Sequence, residues 1–260
     1  CVVQRGKVAR GSFDIGRDVK ATVSKDRNSI KKNHTATHLL QWALQQTLGD
    51  SVAQQGSYVA PDYLRFDFTY PKALTPDELD KIEMLVKEKI LADLPVSWTV
   101  MPRAEAEKLG AMALFGEKYG DEVRVVCLGA DDESLIDQAF SREFCGGTHV
   151  EKLGSIGNFK IVKEESISTG VRRITALTGA ALNDYLEKAS GIVDELSAML
   201  KVAPEALPDR VGKLLGDNKK LAKDLKSAAK GAGSDAMAEA RKLLHSCEKI
   251  GQSSIIVGKL

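Results

Sequence analysis

Two histidines and a cysteine–histidine pair, each at a four-residue interval, equip this chain to hold a metal ion. His34 and His38 open the first motif, and Cys145 and His149 bound the second. Positions four apart share a helix face, so both imidazoles of the first motif can reach one ion, and a thiolate with a third imidazole completes a tetrahedral set. Only 4 histidines occur in the chain; three fall in these motifs, and His245 lies far downstream. Nitrogen and sulfur donors suit Zn2+, whereas Mg2+ or Ca2+ would require oxygen ligands. The His-Glu-x-x-His pattern of zinc peptidases is absent, because Thr35 stands at the general-base position. That peptidase mechanism is excluded.

The elements that must carry these ligands follow from periodicity. Leu39, Leu40, Ala43, Leu44, Thr47 and Leu48 keep helical spacing up to Gly49, predicting a helix over 34–48 with both histidines on its first turn. Leu64, Phe66 and Phe68 alternate with Arg65 and Asp67, predicting a hairpin strand with its apolar side chains on the core face. Thr75-Pro76-Asp77-Glu78 reads as a helix start, with the helix running to about Leu91. Strands are expected at 96–101, 122–128, 159–163 and 171–177, with a short helix at 103–109. Strands and helices mix without a βαβ rhythm. The fold class predicted is α+β, a largely antiparallel sheet with packed helices, preceded by a few short strands within residues 1–24 and followed by an α-helical hairpin.

That hairpin is drawn from two apolar stripes, Leu182 to Leu200 and Val211 to Leu225, separated by Pro204 and Pro208. A shorter helix at 235–248 is expected after Gly231-Ala232-Gly233, and Ser253–Val257 reads as a strand without a partner. Residues 213–230 hold six lysines against two aspartates, among them Lys219, Lys220 and Lys223. These form either a solvated helix face or a phosphate-contacting one.

Composition sets the outer bounds. With 43 % hydrophobic and 28 % charged residues in 260, the chain can pack one or two cores. A net charge of +1 carries no global signature of nucleic-acid binding, so such a role must rest on local patches. The 4 cysteines suggest no disulfide framework and suit a reducing cytoplasm. No apolar run approaches the roughly 20 residues of a membrane helix, so no membrane partner is expected. The first residue is Cys1 rather than Met, and the expectation is a piece of a longer protein.

With these motifs in view, the chain resembles the editing region of alanyl-tRNA synthetases and, more distantly, the editing domain of threonyl-tRNA synthetases. The resemblance is carried by residues 33–40, Gln54-Gln55-Gly56-Ser57, Arg65-Phe66-Asp67-Phe68, the Gly110–Gly120 stretch, Ser141–His149 and Gly170-Val171-Arg172-Arg173-Ile174. It implies that residues 1–30 end a small β-domain, 31–179 form a zinc-binding editing domain, 180–250 a helical connector, and 251–260 the start of a C-terminal tRNA-binding domain. It also implies hydrolysis of Ser- or Gly-charged alanine tRNA in the cytoplasm. The parent enzyme would attach alanine to that tRNA; ATP and Mg2+ would serve only its aminoacylation domain, which nothing in these residues resembles.

Site roles follow on the same footing. His34, His38, Cys145 and His149 would hold Zn2+, with Cys145 counted also among the catalytic residues. Gln54 would hydrogen-bond substrate or water, or else be a loop surface residue. Thr37 would recognise the serine hydroxyl, or else satisfy its own helix. Gly146-Gly147 would allow a close backbone approach, or else form a plain turn. Arg172 and Arg173 alternate on a strand, so at most one would face RNA while the other pairs with an acid; Lys219, Lys220 and Lys223 are the remaining RNA candidates. The C-terminal helical region is a candidate for self-association. A zinc-stabilised RNA-binding module without catalysis and a free-standing trans-editing enzyme are the alternatives.

Overall fold

A computed structural model describes residues 5–113, 119–131, 133–245 and 247–255. The chain divides into two compact units, Cys1–Leu186 and Glu187–Leu260.

The first unit is built on α1 (Arg27–Leu48), β1 (Gln54–Val59), β2 (Leu64–Thr69), α2 (Pro76–Leu91), β3 (Val96–Pro102), α3 (Arg103–Lys108), β4 (Glu122–Leu128), β5 (Ser141–Phe144), β6 (Phe159–Ser168) and β7 (Val171–Thr178). Two antiparallel sheets result, one in the order β1-β2-β7-β6 and one in the order β3-β4-β5. The α+β class expected from the sequence is the class of this unit. In β2 the alternation is complete: Leu64, Phe66 and Phe68 are fully buried, while Arg65 and Asp67 face outward. Helix α2 starts as its sequence specifies. The Thr75 hydroxyl accepts from the Glu78 N–H at 3.2 Å, and the Glu78 carboxylate accepts from the Thr75 N–H at 2.7 Å.

A main core joins α1, α2, the inner face of the four-stranded sheet and one face of β4, through Leu39, Leu40, Phe66, Ile82, Val126 and Ile174. Each such side chain contributes about 1.5–3 kcal/mol by leaving water. The other face of β4 builds a smaller core with α3 from Ala106, Val123, Val125 and Cys127. The β4 strand therefore has one face against α1 and the other against α3.

Several expectations are corrected. Helix α1 begins at Arg27 rather than His34, because the polar residues before His34 continue a helix that no glycine or proline interrupts, so the histidines lie within it instead of on its first turn. Residues 5–23 contain no strand among the described positions; Phe13, Ile15, Val19 and Val23 are exposed and meet no sheet. The glycine-rich stretch at 231–233 does not end a helix either.

In the second unit, α4 (Gly179–Leu200) continues from the first, and a 3-10 turn at Pro204–Ala206 leads into α5 (Leu207–His245). Helix α5 runs unbroken through Gly231 and Gly233, so the separate helix at 235–248 does not exist. Pro208 sits at the second helical position, where its missing N–H costs nothing. Apart from Leu182, which is buried, the apolar stripes of both helices are largely exposed, with Leu196 at 41 % and Leu221 at 63 %. Ser253–Ile255 (β9) does find a partner, Glu248–Ile250 (β8), through a turn at Gly251; the last residues of the predicted strand, like Leu114–Lys118, lie outside the described positions.

Candidate metal centre

Helix α1 delivers His34 and His38 on the face that turns towards the end of β5. Its position is set by Asn33, fully buried, whose amide donates to the Ala60 carbonyl at 2.7 Å while its oxygen accepts from the Thr178 hydroxyl at 2.6 Å. Strand β5 ends at Phe144, and the turn that follows presents Cys145 and His149 to the helix. One candidate ligand atom from each of His34, His38, Cys145 and His149 then falls within 4.8 Å of all the others. The Cys145 sulfur lies 3.5 Å from His34 Nε2 and 3.3 Å from His149 Nε2.

The outer atoms of two imidazoles are already engaged. His38 Nδ1 lies 2.7 Å from the Glu143 carboxylate, and His149 Nδ1 lies 3.3 Å from the Thr35 hydroxyl. That hydroxyl donates to the Lys31 carbonyl and accepts from the Val150 N–H, and so links the helix to the ligand-bearing turn. With Nδ1 occupied in this way, Nε2 is left for the centre. His38 Nε2 is buried without a hydrogen-bond partner, an orphan a bound cation would satisfy.

The turn itself is held from behind. Arg124 donates through Nη1 to the carbonyls of Cys145 at 3.0 Å and Gly147 at 2.7 Å, and the Gly147 N–H points to the Cys145 sulfur at 3.4 Å. A Cβ on Gly147 would lie 1.9 Å from His34 Cε1, whereas one on Gly146 would meet nothing within 4 Å. The close approach allowed by the glycine pair thus belongs to Gly147 and is made to a ligand ring.

Electrostatics favour the ligand forms of Cys145 and His149. Burial works against a thiolate at Cys145, but the His149 and His34 nitrogens on its sulfur, with the charge of His38 nearby, bring its pKa down to about 3. Burial lowers His149 to about 4; its bond to Cys145 opposes the shift, and the charges of His38 and His34 add to it. His38 goes the other way: burial is outweighed by Glu143 and the Cys145 sulfur, which raise it to about 10. A cation arriving at His38 Nε2 must displace that proton.

Gln54 borders a cavity of about 310 Å³ together with Gln41, Gln45, Val52, Met112 and Glu143. Glu143 therefore touches both the cavity and, through His38, the candidate metal centre. Thr37 is buried and donates its hydroxyl to the His34 carbonyl at 2.7 Å; it does not line this cavity. Arg173 pairs with both oxygens of Asp67, at 2.6 and 2.7 Å, and Arg172 pairs with Glu164. Both guanidinium groups are engaged within the sheet. Lys219, Lys220 and Lys223 are exposed on α5. The residues that sequence reasoning passed over are Glu143, Thr35 and Arg124. Glu143 had a signal, since it stands two before Cys145 at strand spacing; Thr35 and Arg124 act through long-range contacts that no local pattern marks.

Comparison with known proteins follows the same lines. Residues 123–175 match the model of the threonyl and alanyl tRNA synthetase second additional domain, a span that holds Cys145 and His149 but not His34 and His38. The alanine–tRNA ligase of Parvibaculum lavamentivorans is 44 % identical over 229 residues, covering 88 % of this chain and 26 % of that protein. That of Thermus thermophilus is 45 % identical over 247 residues, covering 91 % and 27 %, and that of Rhizorhabdus wittichii 46 % over 239 residues, covering 90 % and 27 %. The chain spans about a quarter of the length of the curated relatives it matches. The chain is thus similar to the alanine–tRNA ligases along about nine-tenths of its own length.

Proposed function

We propose that this chain hydrolyses the ester joining serine or glycine to the terminal adenosine of alanine tRNA, at a Zn2+ site formed by His34, His38, Cys145 and His149. The observation that carries the reading is the shared position of Glu143, which holds His38 Nδ1 and also borders the cavity that Gln54 lines. The ligand cluster and a small-molecule-sized space are thereby linked through one side chain, Glu143. The chemistry has a physical motive. A pocket selecting alanine discriminates against glycine by only about 1–3 kcal/mol, the value of one methyl, and excludes one added hydroxyl poorly. A second, hydrolytic site is the remedy.

Three imidazoles and one thiolate fit zinc, and a dication at the centre would be balanced by the Cys145 thiolate and the Glu143 carboxylate. Bound zinc would supply Lewis acidity towards the ester carbonyl or a more acidic water. The chain's own residues do the rest. Glu143 and Thr35 keep the outer imidazole nitrogens occupied, Arg124 holds the Cys145–Gly147 turn, and the Gln54 amide hydrogen-bonds the aminoacyl group or attacking water. Thr37 has given its proton to the helix, so towards a serine hydroxyl it offers lone pairs as an acceptor.

Phosphates of the tRNA fall to Lys219, Lys220 and Lys223, because Arg172 and Arg173 are already paired. Self-association through the exposed stripes of α4 and α5 and a cytoplasmic setting belong to the same reading; no helix among the described residues is long and apolar enough to cross a membrane.

The test is release of labelled amino acid from Ser-, Gly- and Ala-charged alanine tRNA, with bound metal quantified in the wild type, Cys145→Ala and Gln54→Ala. Rapid loss of serine and glycine, slow loss of alanine, failure of Cys145→Ala, and impaired Gln54→Ala with full metal content support the reading. One observation favours a second reading, a non-catalytic RNA-binding module: four protein ligands can close a tetrahedral zinc site. Bound zinc and bound tRNA without release would select it.

A further inference from the structure

Directly opposed residues in an antiparallel sheet project to one face. In the β3-β4-β5 sheet, Trp98 opposes Val126, which opposes Glu143, and Val100 opposes Arg124, whose carbonyl accepts from the Cys145 N–H at 3.0 Å. The face that supplies Glu143 and Arg124 to the metal centre therefore extends outward to Trp98 and Val100 on the edge strand. Thr99, between them, is buried on the opposite face. Trp98 and Val100 are 57 % and 54 % exposed, an uncommon state for an indole on a sheet face. The Arg124 guanidinium covers one side of the indole, its Cζ 4.7 Å from the ring centroid, and the same guanidinium grips the carbonyls of Cys145 and Gly147.

We propose that the open side of the Trp98 indole is a stacking platform for the terminal base of the tRNA 3′ end, a role that rests on the editing reading above. Three features on this face fit that occupant. Two strand spacings, roughly 10 Å, separate the Cys145 turn from β3, a span that a nucleoside can bridge while its ester-bearing ribose lies at the metal centre. An indole backed by a guanidinium offers a large π-face and a nearby positive charge, which suit a base and its phosphate respectively. Val100 widens the apolar surface beside the ring. Stacking is tolerant of base identity, so the platform positions the end of the tRNA and leaves amino-acid choice to the cavity lined by Gln54.

Tryptophan fluorescence tests this without reference to catalysis. Trp42, the other of the 2 tryptophans, packs against Phe140 and can be removed as Trp42→Phe, leaving Trp98 the sole fluorophore. Should that variant fold poorly, the difference between wild type and Trp98→Phe isolates the same signal. Uncharged alanine tRNA is expected to quench Trp98 saturably, with affinity on the order of tenfold weaker for the same tRNA lacking its terminal adenosine. In deacylation, Trp98→Ala should raise KM on the order of tenfold at near-constant kcat and unchanged metal content, and Trp98→Phe should retain most of the affinity. Quenching that is absent, or indifferent to the terminal adenosine, overturns the platform. Because the titration uses uncharged tRNA, a wild type that binds but does not hydrolyse defeats the editing reading alone. A wild type that hydrolyses without quenching defeats the platform alone.

Discussion

Glu143 Oε2 lies 2.7 Å from His38 Nδ1, and both side chains are almost completely buried. The pair fixes the ring orientation and leaves His38 Nε2 as the only atom of that imidazole available to a cation. Glu143→Gln should lower metal affinity about 10–100-fold, the usual consequence of weakening the group behind a ligating histidine. Competition against a chelator of known affinity measures it; undiminished affinity would show that the carboxylate does not orient the ring.

Gly147 and Gly146 should behave oppositely. A methyl at 147 would collide with the His34 ring at 1.9 Å, so Gly147→Ala should cut metal affinity at least about tenfold. Gly146→Ala, with open space around its Cβ, should leave metal content unchanged. Metal analysis of the two purified variants decides the matter, and equal reductions would contradict the close approach.

Removal of the ion should lower thermal stability. A cation held by three imidazoles and a thiolate gathered in a partly buried site would be bound by the folded chain only, which would add about 2.7 kcal/mol when free metal is a hundred times Kd. Dialysis against a chelator should lower Tm, and stoichiometric Zn2+ should restore it. Cys145→Ala should lose most of the response.

Glu83 gives a pH dependence away from the metal. Its buried carboxylate accepts from Lys87 and Lys160 at 3.0 Å and from the Ile161 N–H at 2.7 Å, joining α2 to β6. Burial would raise its pKa, but these bonds outweigh burial and hold it below the ordinary 4.5. Because the folded value is the lower one, the stabilisation is complete above about pH 4.5 and is lost as pH falls through the folded value. Glu83→Gln should cost about 1–3 kcal/mol at neutral pH and flatten the acid limb of a denaturation series between about pH 3 and 7. An unaltered acid limb would remove Glu83 as its source.

The arginines and lysines should separate stability from RNA affinity. Arg173→Ala breaks a two-bond pair with Asp67 and Arg172→Ala one with Glu164, so each should cost about 1–2 kcal/mol of stability with little change in tRNA affinity. Alanine at Lys219, Lys220 or Lys223 should leave stability intact and reduce the salt slope of tRNA binding by about one for each phosphate that is no longer neutralised. Filter binding across a salt series, beside thermal melts, separates the two groups.

The tetrad of His34, His38, Cys145 and His149 is legible in the sequence because ligand chemistry is a property of residue type, and the four-residue intervals are local geometry. So are β2, whose alternation is unbroken, and α2, whose Thr75–Glu78 box is a four-residue event. What local pattern misjudges are helix limits and partners: α1 extends back to Arg27 and α5 crosses Gly231 because helix propagation does not need an apolar stripe at every turn. The partners of the ligands come from folding. Glu143 reaches His38, Thr35 reaches His149 and Gly147 meets His34, each pair far apart along the chain. Such contacts depend on how β5 docks against α1, and that docking is set by a core assembled from α1, α2 and both sheets of the first unit, information no single stretch contains.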